Sequence, residues 1–99
     1  MAAYLVADLE ITNPNEFQKY GEKVVAIVKQ YGGRYLIRGG DVQVLEGVSK
    51  SKRLTILEFP NVEQLKKWYT SPEYQAIIGF RQRAAAGSLL IVSNGAAVQ

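Results

Sequence analysis

AYLVADLEITNPNEFQKYGEKVVAIVKQYGG, residues 3–33, changes its hydrophobic period partway along. From Ala3 to Ile11 the pattern alternates, with Leu5, Ala7, Leu9 and Ile11 on one side and Tyr4, Val6, Asp8 and Glu10 on the other, which predicts a β-strand. Asn13-Pro14-Asn15-Glu16 then supplies a side-chain cap and a proline whose missing N–H costs nothing in the first helical turn. Its glutamate can reach back to the cap. Phe17, Tyr20, Val24, Ile27, Val28 and Tyr31 recur at the helical period and form one stripe, and Gly32-Gly33 ends the helix.

Beyond this strand–helix unit, Arg34–Arg38 and Val42–Glu46 read as strand. They are interrupted by Gly39-Gly40-Asp41, where one bent strand or a small hairpin fits equally. Residues 47–52 form a turn, and Arg53 to Phe59 is a strand closed by Pro60. Asn61 caps a second helix with Gln64 three residues on, and Leu65, Trp68 and Tyr69 mark its buried side. Ser71-Pro72-Glu73 repeats the cap-and-proline device, so this helical region breaks near Thr70 and restarts with Tyr74, Ile77, Ile78 and Arg81. Ser88 to Ser93 is a last short strand, and residues 94–99 read as a loose tail. The order strand, helix, strand, strand, helix, strand is the ferredoxin-like βαββαβ plan. It is an α+β fold in which one antiparallel sheet carries both helical regions on a single face.

With 99 residues the chain has room for one hydrophobic core, and a 47% apolar, 21% charged composition is ordinary for a globular domain spanning residues 1–99. It contains neither cysteine nor histidine. Thiolate nucleophiles, disulfides, zinc fingers, imidazole bases and histidine-ligated haem are therefore outside its chemistry. No metal or cofactor is expected. Twelve Lys and Arg against nine Asp and Glu give a net charge of +3, but the helical lysines alternate with Glu16, Glu22 and Glu63 as solvated faces do. The one dense run, Lys50-Ser51-Lys52-Arg53, is economically read as a polar turn, so nucleic acid is not the expected partner. No apolar run is long enough to cross a bilayer and Met1–Leu9 lacks a leader's basic start, so the expected address is cytoplasmic.

The sheet face away from the helices carries Tyr4, Val6, Leu54 and Ile56, which are too apolar for a solvated surface. An identical chain, sheet against sheet, is the simplest cover, and about 800 Å² per chain would make a standard interface. A cleft between the paired sheets would then be lined by Asp8, Arg38 and Glu58.

Tyr31-Gly32-Gly33-Arg34-Tyr35, Arg38-Gly39-Gly40, Glu46-Gly47, Leu57-Glu58-Phe59-Pro60, Trp68-Tyr69 and Ser71-Pro72-Glu73-Tyr74, in that order, resemble the bacterial domain of unknown function 1330 from about Ala3 to Val92. The resemblance implies membership of the dimeric α/β-barrel superfamily, in which ferredoxin-like subunits pair through their sheets. Relatives in that superfamily include cofactor-free monooxygenases and muconolactone isomerase-like proteins. A fold does not transfer an activity.

Each candidate site residue has a functional and a structural reading. Arg38 with Gly39 and Gly40 can clamp a carboxylate or phosphate, or can make a bulge and an internal ion pair with Glu58 or Glu46. Glu58 can be a general base whose proton affinity is raised by an apolar cleft, or a structural carboxylate. Asp8 is a second acid near a strand end. Trp68 and Tyr74 can stack on an aromatic ligand, or can pack the broken helix on the sheet. The functional expectation is a protein that binds a small, anionic organic molecule in a cleft beside the sheet. The alternative is a cofactor-free proton-transfer or monooxygenase-like enzyme using Glu58 and Arg38.

Overall fold

The computed structural model describes residues 1–48 and 53–95. Seven elements follow in order: β1 (Ala3–Ile11), α1 (Pro14–Gln30), β2 (Arg34–Asp41), β3 (Arg53–Phe59), α2 (Val62–Tyr69), α3 (Pro72–Ala84) and β4 (Ala85–Ser93). The strands form one sheet in the order β2-β3-β1-β4, every neighbouring pair antiparallel, which is the ferredoxin-like arrangement. Pairing β1 with both β3 and β4 puts the two halves of the chain into the centre of one sheet.

The caps act as their residue types dictate. Asn13 accepts the Glu16 N–H at 3.2 Å and Asn61 the Gln64 N–H at 2.7 Å. Ser71 accepts from Tyr74 N–H at 3.1 Å while its hydroxyl donates to the Trp68 carbonyl at 2.7 Å, so one side chain ends α2 and starts α3. The two third-position side chains do not reach back. Glu16 pairs with Lys19 and Arg83, and Gln64 donates to the Tyr31 carbonyl at 2.8 Å, tying α2 to the end of α1. The Ala84 carbonyl accepts three donors, Thr12 N–H, Asn13 N–H and Thr12 Oγ1–H, at 2.8, 3.0 and 3.2 Å.

Leu5, Ala7 and Leu9 of β1 and Leu57 and Phe59 of β3 face the helices. They meet Val24 and Val28 of α1, Leu65 and Trp68 of α2, and Tyr74 and Ile77 of α3. Gly33 lets the chain pass closely over this core, since a side chain there would collide with Phe59 and Val28. Among the described residues, no helix packs on the opposite sheet face. Tyr4, Val6, Leu54 and Ile56 are half-buried there, and Leu89 and Ile91 are 54% and 53% exposed.

Two boundaries differ from the sequence reading. Val42–Glu46 is not strand, because β2 ends where Asp41 pairs with Arg53, the first residue of β3, and nothing described lies opposite the residues beyond. Leu45 is accordingly 97% exposed. The last strand begins at Ala85 rather than Ser88, leaving α3 without any connecting loop. Residues 49–52, which contain most of the basic run, and 96–99, most of the tail, lie outside the described residues.

Candidate functional site

Two β-bulges decide which side chains of β2 face inward. Arg34 stands opposite Glu58 on the outer face and Tyr35 opposite Leu57 on the helix side. The register then slips between Tyr35 and Ile37, so Ile37 pairs with Ile56 and Arg38 with Thr55. One extra residue inverts the parity, and Arg38 faces the helices instead of the outer surface. A second slip brackets Gly39, whose φ of +73° lies in the region glycine favours. A Cβ at Gly39 would land on the Arg53 guanidinium, so the missing side chain makes room for that arginine.

The inward residues enclose a cavity of about 50 Å³ between the sheet and the helices. Its polar lining includes Arg38, Arg53, Arg81, Thr55 and the tyrosines Tyr20, Tyr35 and Tyr74. Leu5, Leu9, Val24, Leu57 and Trp68 complete an apolar and aromatic wall. Among the described residues none of its lining side chains is a carboxylate.

Arg81 is the unusual member. It is 5% exposed, enters no ion pair among the described residues, and its Nε is buried without a hydrogen-bond partner. A guanidinium removed from water with no counter-charge costs several kcal/mol on general grounds. The Arg53 Nε and the Trp68 indole N–H are also buried and unpartnered. Arg53 lies over the Phe17 ring at 5.0 Å, while Arg38 donates to the Gly21 carbonyl at 3.4 Å and lies 5.5 Å from the Tyr35 ring centroid. The Tyr20 and Tyr74 hydroxyls bond each other at 2.9 Å. Burial pushes the Tyr20 phenol far above its ordinary pKa, and that of Tyr35 to about 12, so both stay protonated at neutral pH.

The expected cleft of Asp8, Arg38 and Glu58 is not formed, because Arg38 stands on the other side of the sheet from the two acids. Glu58 accepts from Arg34 Nε at 2.7 Å on the outer face. That bond, with a smaller contribution from Tyr4, holds its carboxyl below the usual carboxylate range, opposite to the elevation expected of a base in an apolar cleft. Asp8 lies between Leu54 and Leu89 on the same outer face. Gly40 stands opposite Leu54, also outward. Trp68 and Tyr74, 1% and 0% exposed, pack the helices on the sheet and line the cavity as well. Arg53 of the basic run points its guanidinium inward, while Lys50 and Lys52 lie outside the described residues.

Arg53 and Arg81 were not singled out as site residues from the sequence. The signal for Arg81 was its place in the stripe Tyr74, Ile77, Arg81, Ala84, a cation on the buried face of α3. Arg53 shares the inward alternation of Thr55, Leu57 and Phe59. Among the described residues no cluster of potential metal ligands occurs and no helix is long and apolar enough to cross a membrane.

Comparison with solved structures places the fold among known ones. A protein of unknown function from Rhodopseudomonas palustris superposes with a TM-score of 0.79 at 18% identity, covering 94% of this chain and 81% of its own. SnoaB, a cofactor-independent oxygenase from Streptomyces nogalater, gives 0.69 at 12% identity over 99% and 94%. A dimeric ferredoxin-like protein of unknown function from Jannaschia gives 0.65 at 17% over 95% and 99%. At these identities the likeness is one of fold. No curated protein matches the chain significantly. The family model for the domain of unknown function DUF1330 matches residues 2–95, and the chain therefore belongs to that family.

Proposed function

We propose that this protein is a homodimer, paired through its outer sheet faces, whose subunits each bind a small organic anion in the cavity beneath the helices. Arg81 carries the ligand reading: a buried guanidinium without a counter-charge, in a wall of aromatic rings, is the arrangement a carboxylate would complete. Arg38 and Arg53 add further cationic donors, and the Tyr20–Tyr74 hydroxyl pair adds neutral ones. The dimer reading rests on the outer face, where Val6, Ile37, Leu54, Ile56, Leu89 and Ile91 form an apolar surface that no described helix covers. The neighbour from Jannaschia, itself a dimeric ferredoxin-like protein, supports it.

Binding without chemistry is favoured over proton abstraction. Glu58, the candidate base, is on the far side of the sheet and bonded to Arg34, and the described cavity lining supplies no carboxylate in its place. Calorimetric titration with benzoate tests the ligand reading: measurable binding that Arg81→Gln abolishes is expected, and binding unaffected by that change refutes it. Sedimentation equilibrium tests the dimer. A species of about 22 kDa, twice the 11.0 kDa chain, is expected, falling to the single-chain mass in Ile56→Asp.

A further inference from the structure

Exposed apolar side chains are not spread evenly over this protein. Met1 aside, the large ones among the described residues lie on the two edge strands of the sheet and on the segment that leaves β2. Leu36, Ile37, Val44, Leu45 and Val48 form one group, in which Leu45 and Val48 are almost wholly exposed. Leu89, Ile91 and Val92 on β4 form the other. Val42–Glu46 has the composition of a strand, yet no described strand lies opposite it. β4 pairs with β1 alone, and its other edge is free among the described residues. Beside β4 an open depression of about 520 Å³ is lined by Tyr69, Arg81, Gln82, Ala85, Leu89 and Leu90. β2 and β4 are three strand spacings apart, roughly 14 Å, and within one chain neither group covers the other.

We infer that the segment 42–48 of each subunit packs on the corner between α3 and β4 of its partner, with Leu45 over the depression that Arg81 lines. This deepens the outer-face dimer reading and rests on it. Two sheets meet face to face about a two-fold axis that runs either across the strands or along them. An axis across the strands sets β2 on the partner's β2, end over end. The apolar segment after Asp41 would then lie over the Arg34–Glu58 ion pair of the partner subunit, which stands at the opposite end of β2 and β3. Stripping water from that pair with aliphatic side chains is unfavourable. An axis along the strands sets each β2 on the partner's β4 with their ends level. Asp41 is in register with Arg53, Arg53 with Leu9, and the next residue, Glu10, with Ala86 near the start of β4. The segment therefore leaves β2 at the height where the partner's depression opens. Five extended residues, Val42 to Glu46, reach roughly 17 Å, more than the ~10 Å between packed sheets. Apolar segment then meets apolar edge, and the two-fold axis makes the contact twice. Arg81 comes to lie at a site bounded by two chains, its own α3 and β4 on one side and the partner's Leu45 on the other.

The chain has no cysteine, so cross-linking through introduced thiols reads this contact without background. Leu45 and Gln82 are both exposed, and Leu45→Cys, Gln82→Cys and the double variant should all keep the fold, as circular dichroism would report. Treated with a short bis-maleimide in dilute solution, the double variant is expected to run on a denaturing gel at about 22 kDa, twice the 11.0 kDa chain. Each single variant should run at the single-chain mass. In sedimentation equilibrium, Leu45→Asp should weaken the dimer roughly tenfold or more. A dimer band from either single variant as strong as that of the double variant overturns the inference, since it brings the two copies of one position together. So does a double variant that stays at the single-chain mass, or unchanged association of Leu45→Asp, while sedimentation of the parent chain reports a dimer; the outer-face dimer then stands without the corner contact. A parent chain that sediments at the single-chain mass overturns the dimer reading as well.

Discussion

Replacing Arg81 with methionine should make the ligand-free protein more stable. Methionine keeps the length and flexibility of the side chain and removes the charge. The arginine is 5% exposed, forms no ion pair among the described residues, and leaves its Nε without a partner. Exchanging buried charges for apolar side chains of similar volume typically gains about 1–4 kcal/mol. In a domain of this size that corresponds to a rise of ~4 °C or more in Tm for every kcal/mol. Urea unfolding and calorimetry at fixed protein concentration would measure it, the fixed concentration being needed because the proposed dimer would add its own concentration-dependent contribution. The same variant should lose the stabilisation that a bound anion gives the parent, about 2.7 kcal/mol at a hundredfold excess over Kd. A loss of 1 kcal/mol or more in Arg81→Met would refute the reasoning, since it would mean that the guanidinium is satisfied within the fold and is not held in reserve for a ligand.

Stability should decline in alkali. The buried Tyr20 and Tyr35 phenols have folded pKa values above the unfolded value of about 10, so their contribution is complete below that pH and is withdrawn as pH rises, through about 12 for Tyr35. Unfolding free energy followed from pH 8 to 11.5 should fall at up to ~1.4 kcal/mol per pH unit for each phenol, and a flat profile would contradict their burial. Gly39→Ala should cost about 1–3 kcal/mol, combining a left-handed φ with displacement of the Arg53 guanidinium, and should weaken anion binding; unchanged calorimetric affinity would separate Arg53 from the site. Glu58→Gln should leave cavity binding untouched. Because the folded carboxyl is depressed by Arg34, its contribution is present above the ordinary glutamate pKa and lost as pH falls through the folded value, so the variant should show a shallower acid limb in a pH titration of stability.

The helix ends were legible because capping is local chemistry. Asn13, Asn61 and Ser71 each accept the backbone N–H three residues on, as their sequence context implied. The apolar outer face was legible too, since Tyr4, Val6, Leu54 and Ile56 follow an unbroken alternation along β1 and β3. The site was not, and the cause is one residue. Counting by twos from Arg34 puts Arg38 beside Glu58 on the outside, and the bulge at Leu36 reverses that count. A bulge without a glycine leaves little mark on a sequence. Arg81 stood in plain view on the buried stripe of α3, but that no described acid comes within ion-pair reach of it is a fact of tertiary packing that spacing along a helix does not reveal.

The Ala84 carbonyl bears on how the chain folds. It gathers donors from Thr12 and Asn13, 72 and 71 positions away, at the corner where β1 turns into α1 and α3 runs straight into β4. That corner cannot close until nearly the whole chain has been threaded between its two sides, and β1, the first strand made, must wait for β3 and β4 to be flanked. Non-local closure of this kind costs loop entropy before it returns any contact energy, which slows the search. An arrangement this dependent on β4 should acquire its last protected amides only once Ala85–Ser93 has docked beside β1.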